Sequence, residues 1–127
     1  MKWPLVTLLA LHGLIHLMGV AGTWGLAGAE AQIGAPVIPL AGVSLGAAGV
    51  IWLAACLALL AAAPLRALDR RGWMVAAGVG VILSQVVVAL WWPTAWRGTV
   101  ANVVIVAALV WELALSRRTQ RPAPVSR

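Results

Sequence analysis

The chain contains four stretches of mostly apolar residues, each about 20 residues long, the length that an α-helix needs to cross a membrane. With 63% hydrophobic and only 9% charged residues, the chain has too little polar surface for a soluble domain. We therefore predict an all-α, integral membrane four-helix bundle. Its domain covers residues 1–116, with spans at about 3–23, 40–63, 73–92 and 98–116. A basic tail at 117–127 follows, which we expect to be disordered.

The positions of the basic residues predict the orientation of these spans. Along a path that crosses the membrane four times, only Arg97 lies on the side opposite to the other basic residues. By the positive-inside rule, the bundle runs up-down-up-down with both termini in the cytoplasm. The net charge of +6 is then explained by topology and by anionic lipid headgroups, so we predict the lipid bilayer as a partner and no nucleic acid. The basic residues on the cytoplasmic side are Lys2, Arg66, Arg70, Arg71, Arg117, Arg118, Arg121 and Arg127.

The tryptophans support the same frame, because most of them fall near the ends of the predicted spans, as in an aromatic belt. Trp52 is the exception and falls near the middle of its span. There its indole N–H needs an acceptor or a packed interior. In the same span, Gly42, Gly46 and Gly49 form a stripe of small residues that lets helix backbones approach closely. The stripe fits either closure of the bundle or a homodimer.

Two histidines one helical turn apart, His12 and His16, are the strongest indication of a functional site. Ionisable residues inside a span are expensive and mark functional sites by default. With Gly19 and Thr23 they form one stripe, which we expect to face the bundle. Burial disfavours the imidazolium cation, so both rings are expected to be neutral, a state competent for metal or proton binding.

Uncharged polar residues of the third and fourth spans come near the depth of His16 when each helix rises by about 1.5 Å per residue. We therefore predict a polar pocket in the outer half of the bundle, with a basic residue at its rim. The ligand-binding candidates are His12, His16, Ser84, Gln85, Arg97, Thr99 and Asn102. The competing interpretation is that the polar members are interhelical hydrogen-bonding residues that hold the bundle together.

The same two histidines are also the candidate metal ligands, since spacing i, i+4 suits two ligands to one ion. A third ligand is not obvious, because the nearest soft candidate is Cys56 and no carboxylate lies at histidine depth. One helix cannot place two histidines on opposite faces of a haem, which excludes intrachain bis-histidine ligation. Glu112 is the only carboxylate inside a span, and we predict an ion pair with Arg117, Arg66 or Arg70.

The chain carries H-G-L-I-H-L at 12–17, S-Q at 84–85 and G-T-x-x-N at 98–102. These motifs resemble those of a family of small four-helix bacterial membrane proteins without an assigned activity. The resemblance implies the plasma (inner) membrane of a bacterium. It departs where the family shows D-A-K before its G-T motif, since Thr94 and Trp96 replace the two charged residues and the basic group shifts to Arg97.

We interpret the chain as a multi-pass membrane protein with a polar pocket for a small ligand or metal, and with no cofactor assigned. One alternative is an accessory or structural subunit of a larger membrane complex, and a second is a membrane redox component with His16 as proton acceptor. We favour a non-enzymatic role, because the sequence has no cofactor motif and none of its three carboxylates lies at histidine depth.

Overall fold

The computed structural model describes residues 2–37 and 44–119, and this part of the chain is helical without a β-strand. Four of its helices are long and apolar enough to cross a membrane. In chain order the elements are α1 (Lys2–Thr23), a 3-10 turn (Leu26–Gly28), α2 (Glu30–Ile33), α3 (Leu45–Ala67), α4 (Gly72–Leu90), α5 (Trp92–Ala95) and α6 (Arg97–Thr119).

The bounds of α3 differ from the predicted span. The helix begins at Leu45, because the Ser44 hydroxyl accepts a hydrogen bond from the backbone N–H of Ala47 at 3.2 Å. The predicted start at residues 40–43 lies outside the described residues. At the other end, the predicted span ends at residue 63, before Pro64, whereas the helix continues through Pro64 to Ala67. Proline removes only its own N–H donor, and the Pro64 carbonyl still accepts from the N–H of Leu68 at 2.9 Å.

A tight turn joins α3 to α4. Asp69 takes a left-handed conformation with φ 52°, a position where glycine is common and aspartate is tolerated. The N–H of Asp69 donates to the carbonyl of Arg66 at 3.1 Å, and that of Arg70 to the carbonyl of Leu65 at 2.8 Å. These two bonds form a Schellman motif, which satisfies carbonyls at the end of the helix.

Two connections between the long helices contain helical turns. The 3-10 turn and α2 lie between α1 and α3, and α5 lies between α4 and α6. Between the first two predicted spans, the 3-10 turn and α2 form short helical turns, and residues 38 and 39 lie outside the described part. The segment is tied to the α4–α6 connection, because the Thr94 hydroxyl donates to the carbonyl of Ile33 at 3.0 Å.

The last helix extends into the predicted tail. Helix α6 runs to Thr119, so the predicted disordered tail begins as helix. Residues 120–127 of that tail are outside the described chain.

The core consists of two buried clusters along the bundle. One lies near Leu9, Leu59 and Trp73, and the other surrounds Trp52 and Trp91. The three helices α1, α3 and α4 bury 39% of their apolar segments, whereas α6 buries 11%. The bundle is therefore a closely packed group of three helices with α6 resting mainly against α4.

Ionic contacts link three helices at one end of the bundle. Arg66 Nη2 lies 2.8 Å from Glu112 Oε1, which confirms the predicted ion pair of Glu112 and identifies Arg66 as its partner. Arg66 Nη1 also contacts Asp69 Oδ1 at 2.9 Å, and Lys2 Nζ lies 2.6 Å from Asp69 Oδ2. Since Lys2 begins α1 and Glu112 lies near the end of α6, these contacts bring the start of α1 and the ends of α3 and α6 together.

Candidate functional site

A buried polar network between the two core clusters joins α1, α4 and α6. At its centre, Asn102 is 3% exposed and uses both ends of its amide. Its Oδ1 lies 2.9 Å from His12 Nε2, and its Nδ2 donates to Ser84 Oγ and to Gln85 Oε1, each at 3.0 Å. Gln85 Nε2 in turn donates to Thr99 Oγ1 at 3.2 Å.

The network is self-consistent only if the proton of His12 is on Nε2. Asn102 Oδ1 can only accept, so the short contact between them requires His12 Nε2–H as the donor. Ser84 Oγ lies 3.3 Å from the same nitrogen. The Asn102 amide is thereby fully used, with one hydrogen bond accepted and two donated. A network in which the buried groups find partners within the protein rigidifies and specifies a unique packing.

His16 lies one turn away and is not part of this network. Its Nδ1 is 2.7 Å from the carbonyl oxygen of His12, and a carbonyl only accepts, so Nδ1 carries a proton. In a neutral imidazole the other nitrogen, Nε2, is then an unprotonated acceptor. That atom is buried and has no hydrogen-bond partner within the described part of the chain.

Within the described chain, Trp52 of α3 has a buried donor without an acceptor, whereas His16 has a buried acceptor without a donor. The Trp52 ring is 5% exposed, and its Nε1–H is buried without an acceptor among the residues that the structure describes. Its ring centroid lies 5.3 Å from that of His16 and 5.9 Å from that of Trp91. The Nε1–H of Trp91, by contrast, donates to the carbonyl of Gly34 at 3.1 Å. Buried polar groups in proteins are nearly always hydrogen-bonded, so two neighbouring exceptions need an explanation.

The two residues that hold these atoms, His16 and Trp52, line a cavity of about 460 Å³ between α1 and α6. Its inner wall contains His12, His16 and Trp52, while the short helices α2 and α5 contribute residues at one end. Toward the surface, it is lined by Leu11, Ile15 and Met18 of α1, which are 51–59% exposed. The cavity is thus apolar over most of its wall and open along the side of the bundle, and its size is within the range of small-molecule sites.

Close packing fixes the position of Trp52 in this wall. A Cβ atom added to Gly19 would lie within 2.1 Å of the Trp52 ring, so the indole rests directly against the α1 backbone. Gly98 allows a similar approach on α6, where an added Cβ would lie 2.9 Å from Val88 Cγ2 and 3.7 Å from His12 Cε1. Glycine is required at close approaches of this kind because any other side chain displaces the neighbour.

Arg97 lines the same cavity and is exposed. Its guanidinium carbon lies 5.2 Å from the centre of the Trp96 ring, a cation–π distance. Arg97 therefore places a positive charge at the end of the cavity next to α5.

The structure divides the predicted site residues into two groups. His12, Ser84, Gln85, Thr99 and Asn102 form the network, whereas His16 and Arg97 line the cavity together with His12. The depth estimate placed Ser84 level with His16, but the structure pairs Ser84 with His12, one turn away.

Sequence reasoning missed two parts of the site. Trp91 falls near the end of the third predicted span, a position typical of an aromatic belt, but it is 1% exposed and packs edge-on against Trp52. Gly98 opens the G-T-x-x-N motif and Ala101 lies inside it, but the motif does not indicate that these small residues line a cavity on α6. Within the sequence, the mid-span position of Trp52 was the one indication that its indole N–H needs a hydrogen-bond partner.

The metal prediction at His12 and His16 stays a prediction. In the described part of the chain, no three side chains of His, Cys, Asp or Glu come together as a potential metal site. Cys56 is buried and in a free thiol state. Because His12 Nε2 and His16 Nδ1 are engaged in hydrogen bonds, each histidine has one remaining ring nitrogen for a ligand.

No protein-family model, curated protein or solved structure matches this chain. The functional interpretation is therefore based on the residues of the site itself.

Proposed function

We propose that this chain is a multi-pass protein of a bacterial plasma membrane and that it binds a small apolar ligand in the cavity between α1 and α6. In this proposal the four long helices cross the membrane up-down-up-down, with both termini in the cytoplasm. The contacts among Lys2, Arg66, Asp69 and Glu112 support this topology, because they join the start of α1 to the ends of α3 and α6. The positive-inside rule places that basic end in the cytoplasm.

The observation that carries the ligand proposal is that two residues lining one cavity, His16 and Trp52, each hold a buried nitrogen without a partner in the described chain, Nε2 and Nε1. Leaving such atoms unsatisfied costs about 1–3 kcal/mol each, and a largely apolar molecule that also carries a hydrogen-bonding group removes that cost. The neighbouring network supports the same conclusion by contrast. Its amide groups are used within the protein, so it has a structural role, and the binding function falls to His16, Trp52 and the cavity.

In a membrane the exposed residues Leu11, Ile15 and Met18 face lipid, so the ligand enters the cavity sideways from the bilayer. A small molecule dissolved in the hydrocarbon core meets this opening directly. The apolar wall then accounts for affinity, and the two nitrogens account for selectivity.

The proposal is tested with hexylbenzene, an apolar probe that needs no hydrogen bond. The protein is reconstituted into lipid nanodiscs, and its tryptophan indole N–H signals are followed by NMR as the mole fraction of probe in the lipid rises. We expect saturable changes at Trp52 and Trp91, with the Trp52 signal assigned from Trp52→Phe.

A matched pair of variants on α6 controls for partition into lipid. Ala101→Phe fills the cavity and should abolish saturation, because Ala101 is part of the wall. Val103→Phe adds the same ring at a position that is 62% exposed and should bind as wild type. Linear, non-saturating changes in all three proteins would refute ligand binding. The polar residues would then serve only the packing of the bundle, as in an accessory subunit.

A further inference from the structure

The two unpartnered nitrogens in the cavity wall differ in hydrogen-bonding character. Trp52 Nε1–H can only donate. His16 Nε2 can only accept, because the ring's single proton is on Nδ1, which donates to the carbonyl of His12. Since the ring centroids lie 5.3 Å apart, the two rings are direct neighbours, and one small polar group at their shared edge can meet the donor and the acceptor together.

We infer that the cavity binds a lipid-soluble molecule through a hydroxyl group, which accepts a hydrogen bond from Trp52 Nε1–H and donates one to His16 Nε2. This inference rests on the proposed function and specifies the ligand class for the same cavity. A hydroxyl is the smallest organic group that both donates and accepts at one atom. The ligand class is therefore an alcohol, a phenol or a quinol with an apolar body.

Head groups that only accept or only donate satisfy one of the two nitrogens. A carbonyl or a carboxylate accepts from Trp52 but offers no hydrogen to His16 Nε2. An ammonium group donates to His16 but cannot accept from Trp52. In each case one buried polar atom stays without a partner, and rejection of an analogue on this ground is stronger than rejection by apolar shape alone.

The rest of the cavity fits the body of such a molecule. Leu8, Leu11, Ile15 and Val88 present apolar surface. The charge of Arg97 lies over Trp96, at the end of the cavity next to α5. A carboxylate attracted by Arg97 is therefore the competing head group, and the test includes it.

The test compares four probes with the same hexyl chain in nanodiscs: 4-hexylphenol, 4-hexylanisole, hexylbenzene and 4-hexylbenzoate. The phenol can form hydrogen bonds with both nitrogens, the anisole can accept one from Trp52 only, and hexylbenzene can form neither. We expect the phenol to bind about tenfold more tightly than the anisole, the effect of one hydrogen bond to a buried group. The phenol and the anisole should shift the Trp52 indole N–H signal, and hexylbenzene should change it less.

Two variants separate the roles of the two nitrogens. His16→Asn keeps a side-chain N–H for the carbonyl of His12 and deletes Nε2, so it should remove the preference for the phenol over the anisole. Trp52→Phe should remove the preference for the anisole over hexylbenzene. Val103→Phe, at an exposed position outside the cavity lining, should keep both preferences and is the matched control. The four-probe comparison on the wild-type protein does not depend on either variant.

The outcomes separate the inference from the proposed function. If no probe saturates, the proposed function fails. If all four probes saturate with equal affinity, the cavity binds apolar molecules but the hydroxyl inference is overturned, the result expected when water alone serves the two nitrogens. Tighter binding of 4-hexylbenzoate than of the phenol also overturns it and assigns the head group to Arg97. A nitrogen-15 spectrum that shows a proton on His16 Nε2 would contradict the inference before any probe is added.

Discussion

Two neighbouring groups of polar side chains are buried in this bundle, and they differ in whether their polar atoms have hydrogen-bond partners within the described chain. The network around Asn102 uses both ends of two side-chain amides within the protein, and it links α1, α4 and α6. One turn further along α1, His16 and Trp52 leave an acceptor and a donor without partners in the described chain. The same stripe of α1 therefore supplies one histidine to each group.

The difference shows that polarity inside a membrane span does not by itself indicate a binding site. Burial without a partner is the more informative property, because a satisfied network gains nothing from a ligand and an unsatisfied pair does. By this criterion the site is built from His16 of α1 and Trp52 of α3. The conspicuous residues Ser84, Gln85 and Asn102 hold the helices that surround it.

The largest expected effect comes from breaking the network at its centre. Asn102→Leu has nearly the same volume but leaves His12 Nε2–H, Ser84 and Gln85 without their partner, so we expect a loss of about 2–3 kcal/mol in the free energy of unfolding. Reversible unfolding in mixed detergent micelles measures this change. Thr99→Val, at the edge of the network, is the matched control and should cost about 0.6 kcal/mol, an average value for an interhelical hydrogen bond in a membrane.

Equal stability of Asn102→Leu and wild type would contradict the structural role of the network. In that case the network would have no demonstrated structural role, and binding could no longer be assigned to the cavity by comparison with the network. The hexylbenzene titration would then be repeated on the variant to decide whether Asn102 contributes to binding.

A second, smaller effect is expected on the cavity side. Gly19→Ala places a methyl group within 2.1 Å of the Trp52 ring, which must move. We expect a loss of about 1–3 kcal/mol from overpacking, together with a changed Trp52 indole N–H signal and weaker hexylbenzene binding. Gly78→Ala is the control, because its added methyl group meets no atom within 4 Å. That change should be neutral or should stabilise by up to about 1 kcal/mol through helix propensity. Indistinguishable spectra of the two variants at Trp52 would show that the ring does not rest on Gly19.

Much of the fold could be predicted from the sequence, because a membrane leaves few choices. Long apolar segments must be helical, and all four predicted spans overlap the long helices of the structure. The ends were harder to predict. The continuation of α3 past Pro64 depends on the Schellman turn at Asp69, and aspartate in a left-handed conformation is not a strong sequence signal.

The candidate site was predictable only in part, for a geometric reason. Periodicity along one helix correctly places His12 and His16 on the buried face of α1, but it says nothing about the register of α1 against α4. Which histidine meets Ser84 depends on that register. The unpartnered state of His16 Nε2 depends in addition on Trp52, Trp91 and Gly19, whose packing arises only in three dimensions.

The smallest expected effect concerns Asp69, which lies outside both polar groups and therefore provides a reference for them. The hydrogen bond from Lys2, together with the charges of Lys2 and Arg66, lowers the pKa of the exposed Asp69 carboxyl below its ordinary value of 3.8. A lowered pKa means that the folded state binds fewer protons than the unfolded state, so the contribution of Asp69 is complete above about 3.8 and is lost as the pH falls through the lower folded value. We expect the melting temperature to fall slightly more in wild type than in Asp69→Asn as the pH is reduced through this range. The Asn102→Leu and wild-type proteins should show the same pH slope there, because the network contains no carboxylate. A slope that changes with Asn102 instead of Asp69 would place the acid-sensitive group in the network and contradict the assignment of this acid sensitivity to Asp69.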